Sequence, residues 1–528
     1  MASELKYTPM SEIPKIHDKA VATFASGKTR PLAYRRQQLR QLGKMIQENE
    51  ARLVAALHTD VGKPQLETTV ADLGPVVYAV VDALKHLDEW TAPDKVTEVP
   101  EWRASWDTTV YKAPKGAALF VTPWNYPYVI TLGPLAGAIA AGCTAVCKPS
   151  EHCPTVSQAL AELFPKYLDP EAYFLVNGAI PETTALLELR WDHIFYTGSN
   201  RVGRIIAAAA ARHVTPVTLE LGGKCPAVID PDTNIELSAK RILYGKQSNL
   251  GQICVSPDYV LVPKSKQDEV LAAFEKVYNQ FWPNGCLASP DIGHVISPAH
   301  HARLSRLIKS TRGEVFLGGK TVGERKMEIT VIKNVPLDDI LMEDEIYGPI
   351  LALVPVDDVH HAARIIAERP TPLAVYLFTE SDDVKEKFLE RTASGTLVLN
   401  DTYQQLAVHE MPFGGQGESG CTSLPSLPFL PVFPPPSLLL VLTHPRRRRV
   451  PRQDLVRHLH AQAQLHQRAL RVRLSFPSYI SFLLSSHAPF FPTPHSADPY
   501  MAFRYPPYSE EAVKALGTFG LHIPIPEE

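Results

Sequence analysis

The chain lacks the features of a secreted, zinc-binding or nucleic-acid-binding protein. Its 528 residues include only seven cysteines, and Cys143 and Cys147, four apart, have no second close pair with which to form a zinc site. So few cysteines indicate a reducing compartment, and we expect a cytoplasmic location. The net charge is −3 with 21% charged residues, which gives no reason to expect nucleic acid as a partner. The expected partner is a small molecule.

Signals for export and membrane insertion are also missing. The first twenty residues are mixed and polar, without the apolar core and cleavage site of a secretory signal. The longest uncharged apolar run, 424–442, contains six prolines, which would repeatedly break a spanning helix. We therefore expect no transmembrane helix there, while membrane association by other means stays open.

What is present is an alternation of short apolar strands and helices. Leucines at helical spacing predict a surface helix over about 32–58, and a second helix is predicted at about 76–90. From 115 onward strands and helices alternate, which predicts an α/β fold with a Rossmann-type parallel sheet that binds ligands beyond the carboxyl ends of its strands. A less regular alternation over 225–400 predicts a second α/β domain.

Three candidate catalytic residues stand in separate motifs. Asn125, in "VTPWNYP" (121–127), carries an amide that could donate to a developing oxyanion. Glu220, in "LELGGK" (219–224), suits a general base, although a structural salt bridge is the commoner fate of a glutamate. Cys254, in "SNLGQICVSPDY", is a candidate nucleophile, although cysteine is more often a small buried hydrophobe.

Three further motifs offer contacts for a dinucleotide. Glycines in "FYTGSNRVG" (195–203) would let phosphates approach a helix start, although a tight turn would use the same residues. Charges in "CKPSE" (147–151) could bond ribose hydroxyls or remain solvated, and "EDEIYGPIL" (343–351) precedes a Gly-Pro turn. The candidate cofactor-binding residues are Lys148, Glu151, Gly198, Ser199, Gly203, Glu345 and Tyr347.

The order and spacing of these motifs resemble the aldehyde dehydrogenase superfamily, most closely its class 3, fatty aldehyde dehydrogenase-like branch of fungal type, from residue 10 to about 420. The most diagnostic features are "PWNYP", "LELGGK", the cysteine of "GQICVSP" 34 residues after Glu220, and "EIYGP" followed by "PFGG". The resemblance implies oxidation of a medium- or long-chain aliphatic or aromatic aldehyde with NAD or NADP, by a homodimer. The alternatives are a fungal apocarotenal dehydrogenase and a catalytically impaired relative with a binding or structural role.

The same resemblance assigns roles to the catalytic residues. Cys254 would be the nucleophile, and the Asn125 amide with the Cys254 N–H would hold the thiohemiacetal oxyanion. Glu220 would activate the water that hydrolyses the thioester. No metal is implied.

For the cofactor, the resemblance places Lys148 and Glu151 at the adenosine ribose and the turn at 198–199 along the pyrophosphate. Glu345 would hold the nicotinamide ribose, with Tyr347 packing nearby where the family more often has Phe. The choice between NAD and NADP stays open, although Glu151 could favour NAD by repelling a 2′-phosphate.

The resemblance also implies a division of the chain. The predicted parts are a dinucleotide-binding domain at 1–90 and 114–221, a catalytic domain at 222–397, an oligomerisation element at 91–113 and 398–421, an anomalous tract at 422–500 and a tail at 501–528.

The anomalous tract does not fit the family. Residues 422–500 hold 13 prolines and nine arginines with no lysine, glutamate or glycine. In the family, a closing segment rich in Gly, Phe, Asp, Thr and His should follow "PFGGQGESG". One possible coding sequence for "QDLVRHLHAQA" (453–463), read one nucleotide later, gives a peptide similar to that closing segment. We hypothesise that two unspliced introns, near 422–450 and 474–499, flank an exon read out of frame. The tract is predicted to be disordered and to lower activity; a spliced transcript that encodes it in frame would contradict the hypothesis.

Overall fold

The structure is a computed structural model that describes residues 5–96, 98–102, 108–409, 411–421, 505–509 and 521–526. The anomalous tract and most of the predicted tail lie outside these residues. The helices are α1 Ile13–Ala25, α2 Leu32–Glu48, α3 Glu50–Val61, α4 Gln65–Thr68, α5 Gly74–Thr91, α6 Pro127–Ala141, α7 Pro154–Tyr167, α8 Ile180–Leu187, α9 Asn200–Ala211, α10 Ile235–Gln247, α11 Gln267–Phe281, α12 Pro298–Ser310, α13 Val359–Ala367, α14 Asp382–Arg391 and α15 Gln404–Ala407. The strands are β1 Asp94–Lys95, β2 Thr109–Val110, β3 Ala117–Val121, β4 Thr144–Lys148, β5 Tyr173–Leu175, β6 His193–Gly198, β7 Val217–Leu221, β8 Pro226–Ile229, β9 Tyr259–Pro263, β10 Glu314–Leu317, β11 Thr321–Val322, β12 Lys326–Met327, β13 Thr330–Lys333, β14 Ile350–Val356, β15 Ala374–Phe378 and β16 Thr396–Leu399.

The first sheet is parallel and has the strand order β5-β4-β3-β6-β7. Strands β3 and β4 are buried along their whole length, as expected for a parallel sheet covered by helices on both faces. Asn125 lies on the loop that follows β3, Lys148 and Gly198 are the last residues of β4 and β6, and Glu220 lies near the end of β7. One edge of the sheet therefore gathers residues that are far apart in the sequence.

The second sheet has the order β10-β13-β14-β9-β8-β15-β16. Its strands run parallel except for β10, which pairs antiparallel with β13. The prediction of an α/β fold with two parallel-type sheets is confirmed. The predicted domain boundaries remain a proposal.

One helix prediction is wrong. The segment 32–58 is not a single helix, because α2 ends at Glu48 and α3 begins at Glu50, and Asn49 between them has the non-helical angles φ −116° and ψ 15°. The leucines that suggested one continuous helix are nevertheless buried in both halves, and Leu39 and Leu53 are examples. The second predicted helix, 76–90, lies within α5.

Two features bear on partners. The short hairpin of β1 and β2 exposes large apolar side chains, among them Trp102 at 69% and Tyr111 at 76% of full exposure. Within the described part of the chain, no helix is both long enough and apolar enough to cross a membrane.

Candidate active site

Cys254 follows a sharp backbone turn. Asn249, Leu250 and Gly251 take left-handed φ values of 45°, 56° and 71° in succession. A Cβ at Gly251 would lie 2.3 Å from the carbonyl oxygen of Gly348, so only glycine allows this close approach. The turn brings Cys254 to a half-buried position in contact with the core around the second sheet.

The side chains around Cys254 are acidic. Burial raises the pKa of the Cys254 thiol to about 12, and the carboxylates of Glu345 and Glu220 contribute to the rise. An effect of this kind requires both carboxylates to lie near the sulfur. The structure thus brings the three residues together, although 34 residues separate Glu220 from Cys254 and 91 separate Cys254 from Glu345.

Glu220 lies in β7 opposite Thr197 of β6. On its other side, Glu220 forms a single antiparallel bridge with Gly420, and the N–H of Cys421 donates to the Leu219 carbonyl at 3.0 Å. The segment that contains Gly420 therefore extends the sheet locally beside the candidate base.

Asn125 lies on the loop between β3 and α6 and is 2% exposed. Its backbone carbonyl accepts hydrogen bonds from Lys63 Nζ at 2.8 Å and from Asn249 Nδ2 at 3.0 Å. Its side-chain Oδ1 is buried and accepts no hydrogen bond within the described part of the structure. Hydrogen bonds thus fix the backbone of Asn125, while its side-chain Oδ1 is left without a hydrogen bond from the described residues.

Lys148 and Glu151 form an ion pair at the end of β4. The ammonium and carboxylate groups lie 3.2 Å apart, and Lys148 is 4% exposed, which excludes the alternative of a solvated charge for this lysine. Burial opposes ionisation of Glu151, but the Lys148 ammonium holds its pKa below the usual range. Glu151 is therefore a charged hydrogen-bond acceptor at the sheet edge.

The glycine motif forms the connection from β6 to α9. Gly198 has φ 157°, and a Cβ there would lie 2.3 Å from the Tyr196 hydroxyl. Ser199 is the residue before the first turn of α9 and makes no side-chain cap. Gly203 is where α9 packs on β7, since a Cβ would come within 2.8 Å of Leu221. Gly203 thus has a packing role in addition to any effect on a cofactor.

Glu345 lies against the loop that follows Glu220. A Cβ at Gly222 would come within 2.3 Å of Glu345 Oε2, so the carboxylate lies against the backbone of this loop. Burial raises the pKa of Glu345, and Asp258 adds to the rise. Its Oε1 is buried and has no hydrogen-bond partner among the described residues.

Tyr347 follows with a left-handed φ of 48° and packs edge-on against the ring of Trp124, with centroids 5.6 Å apart. The contact joins two of the motifs found in the sequence, "EIYGP" and "PWNYP".

Charged residues that the sequence analysis missed hold this loop in place. Asp258 accepts the N–H of Ile346 at 3.1 and 3.2 Å and pairs with Lys224 Nζ at 2.6 Å. Lys246, which is fully buried, donates to the Gly348 carbonyl at 3.2 Å. Burial lowers the pKa of Lys246 to about 8. Long-range contacts of this kind leave no periodic signal in the sequence.

A second missed group surrounds Asn125 and consists of Lys63, Glu67, Asp72 and Asn249. Its acidic members lie four and nine residues after Lys63, in α4 and in the π-helical turn Thr69–Leu73 that follows α4. Lys63 itself precedes α4 and lies outside any helix, so no helical pattern in the sequence could have revealed the group.

The residues at the sheet edge fit a dinucleotide. An orphaned buried oxygen on Glu345, a charged acceptor on Glu151 and a glycine turn before a helix start are the groups that ribose hydroxyls and phosphates require.

The chain is similar to known proteins over most of its length. The sequence model of the aldehyde dehydrogenase family matches residues 3–424. The chain is 41% identical over 403 residues to aldehyde dehydrogenase family 3 member H1 of Arabidopsis thaliana, covering 75% of this chain and 83% of the relative. It is 39% identical over 415 residues to the beta-apo-4'-carotenal oxygenase of Neurospora crassa, covering 78% of each. Among solved structures, the substrate-bound state of Staphylococcus aureus AldH is similar with a TM-score of 0.76 and 35% identity, covering 77% of this chain and 89% of that one.

Proposed function

The chain belongs to the aldehyde dehydrogenase family and is an NAD(P)-dependent enzyme that oxidises aldehydes to carboxylic acids; on that premise we propose which residues carry the reaction and which aldehydes it takes. The proposed catalytic residues are Cys254, Glu220 and Asn125. For Cys254 and Glu220 the support is the effect of the Glu220 carboxylate on the pKa of the Cys254 thiol. For Asn125 the support is its buried side-chain amide, whose Oδ1 accepts no hydrogen bond from the described residues.

The first step is attack of the Cys254 sulfur on the aldehyde carbonyl. Because the pKa of the thiol is raised, the resting group is the thiol, and its proton is lost to solvent as the attacking thiolate forms. The negative oxygen that forms is held by the Asn125 amide and the backbone N–H of Cys254, each worth about 3 kcal/mol in the transition state.

Bound NAD(P)⁺ supplies the hydride acceptor of the reaction. Glu345, Lys148 and Glu151 would hold its riboses, with the turn at Gly198 and Ser199 along the pyrophosphate. The oxidised carbon then remains on Cys254 as a thioester, and Glu220 activates the water that releases the acid.

The proposed substrates are medium- or long-chain aliphatic or aromatic aldehydes. A polyene aldehyde is the second candidate, because a relative at 39% identity is named as a carotenal oxygenase and another, at 36%, as a 4,4'-diaponeurosporen-aldehyde dehydrogenase. A panel of short, long, aromatic and polyene aldehydes, each with NAD and with NADP, would rank them by kcat/KM from the absorbance of reduced cofactor. A Cys254→Ala variant should show no turnover.

The same assay separates an active enzyme from an impaired relative that keeps only a binding role. If the purified chain oxidises no aldehyde in the panel, the proposed catalytic roles are wrong. Binding of cofactor without turnover would then favour the impaired relative.

We propose further that the chain forms a homodimer in the cytoplasm. The exposed apolar side chains of the β1–β2 hairpin, including Trp102 and Tyr111, support a docking surface for a second copy. All seven cysteines are free thiols, as expected in a reducing compartment. Analytical ultracentrifugation of the full chain and of a Tyr111→Asp variant tests the dimer, which the variant should weaken.

A further inference from the structure

Lys63 is a buried cation directly beneath the loop that contains Asn125. It is fully buried, and its Nζ lies 2.8 Å from the Asn125 carbonyl oxygen and 3.5 Å from Asp72 Oδ2. The ammonium also lies 3.4 Å from the centroid of the Tyr126 ring. A buried charge costs several kcal/mol unless it is paired, and here the ammonium contacts a carbonyl oxygen, a carboxylate and the face of a ring.

Asn249 supplies a second donor to the same carbonyl. Its Nδ2 lies 3.0 Å from the Asn125 oxygen and 3.1 Å from the carbonyl of Gln252, two residues before the nucleophile. The Asn249 side-chain amide thus joins the loop that contains Asn125 to the loop that contains Cys254.

Glu67 fixes the positions of Asn249 and Tyr126 by hydrogen bonds. Its Oε1 accepts the Asn249 N–H at 2.6 Å and the Tyr126 hydroxyl at 3.1 Å. Asp72, the partner of Lys63, accepts the N–H groups of Tyr128 and Val129 at the start of α6. The set therefore fixes both ends of the short segment from Asn125 to the start of α6.

We propose that Lys63 is a positioning residue for aldehyde oxidation, which acts by orienting the Asn125 amide toward the reacting carbonyl. This rests on the proposed oxyanion role of Asn125. Two donors on one carbonyl fix the peptide plane after Asn125, and that plane sets the direction in which its side chain leaves the backbone. Removing the charged donor leaves the plane held by Asn249 alone.

Stability alone does not explain this pair. Replacing both members of a buried ion pair by uncharged groups is often neutral or stabilising, whereas removing one member leaves an unpaired buried charge. The suitable variant is therefore Lys63→Met combined with Asp72→Asn, because Asn can still accept from the start of α6.

The test is a double-mutant cycle with Asn125→Ala in the full-length chain. In the wild-type background the Lys63→Met/Asp72→Asn change should lower kcat/KM for a good aldehyde about 10- to 100-fold, as expected for a misplaced catalytic group. The KM for NAD(P) and the midpoint of thermal unfolding should stay close to wild type. In the Asn125→Ala background the same change should have almost no further effect on kcat/KM.

Lys246→Met is the matched control. Lys246 is also fully buried and also donates to a backbone carbonyl, but that carbonyl belongs to Gly348 on the Glu345 loop. This substitution should raise the KM for NAD(P), and its effect should add to that of Asn125→Ala. If the Lys63→Met/Asp72→Asn variant does not fold, Lys63→Gln/Asp72→Asn replaces the ammonium by an uncharged amide and should show a smaller loss of kcat/KM with the same non-additivity.

The outcomes are distinct. If Asn125→Ala lowers kcat/KM but the changes at Lys63 and Asp72 add to it in full, Lys63 does not act through Asn125 and the inference is overturned. If Asn125→Ala itself leaves kcat/KM unchanged, the proposed oxyanion role fails first, and the positioning role fails with it.

Discussion

Replacing Glu220 by Gln should change two reactions of the same cysteine in opposite directions. Glu220 is proposed as the base that activates water, so its loss should slow turnover. Its carboxylate also contributes to the raised pKa of the Cys254 thiol, so its loss should make that sulfur a better nucleophile toward a reagent that needs no base.

The magnitudes follow from the site. A thiol with a pKa of about 12 is ionised to only about one part in ten thousand at pH 8, and each unit of pKa lost raises that fraction about tenfold. Glu220 is one of several causes of the raised pKa, after burial and Glu345, and a less basic thiolate is also intrinsically less nucleophilic. We expect alkylation of Cys254 by iodoacetamide at pH 8 to become about two- to tenfold faster, while kcat falls about 10²- to 10⁴-fold with the loss of a general base.

Alkylation is followed by mass spectrometry at Cys254 and turnover by the absorbance of reduced cofactor. In the wild type, the alkylation rate should rise about tenfold per pH unit from pH 7 to beyond pH 9, because the thiolate is scarce throughout that range. Glu314→Gln, at the exposed edge strand β10, serves as the control and should alter neither rate. A Glu220→Gln variant that unfolds at the wild-type temperature yet alkylates no faster would refute the assigned proximity of carboxylate and sulfur.

Three further predictions concern the oxyanion, the cofactor and acid stability. Asn125→Ala should lower kcat/KM for aldehydes by about 10²- to 10³-fold without changing cofactor KM, as measured by steady-state kinetics; an unchanged kcat/KM would argue against the oxyanion role. Glu151→Gln should improve the ratio of NADP to NAD in kcat/KM, because a negative charge beside the proposed ribose site is removed; a ratio equal to wild type would contradict that placement. Burial, followed by the charge of Lys115, lowers the pKa of His193 to about 3, below its unfolded value near 6.5. This contribution to stability is therefore complete above about pH 6.5 and falls by up to about 1.4 kcal/mol per pH unit as the pH drops toward 3. His193→Gln should flatten that dependence in urea unfolding curves.

Much of the fold follows from local sequence. The runs that became β3 and β4 are short, apolar and bounded by polar residues, and a parallel sheet requires that pattern. The motifs around Asn125, Glu220 and Cys254 could be found because each is a few contiguous residues at a strand end or a turn. The break at Asn49 could not, because both sides of it continue the same helical spacing of leucines.

The supporting shell of the site was beyond the sequence analysis for a different reason. Lys63 meets Asn125 across 62 residues, and Glu67 meets Asn249 across 182. Neither contact produces a periodic pattern in the residues between its two partners. A lysine that positions a catalytic loop therefore looks the same in the sequence as a lysine on a helix surface.

The bridge between Glu220 and Gly420 determines how a splice error after position 421 would affect the protein. Cys421 is the last described residue before the anomalous tract. Its N–H donates a hydrogen bond to the Leu219 carbonyl, in the strand that contains the proposed base. Any splice error that alters the polypeptide after position 421 therefore begins next to a residue that is hydrogen-bonded to the strand of the proposed base. Such an error could disturb that strand contact, and assays on the corrected and uncorrected proteins would measure the effect directly.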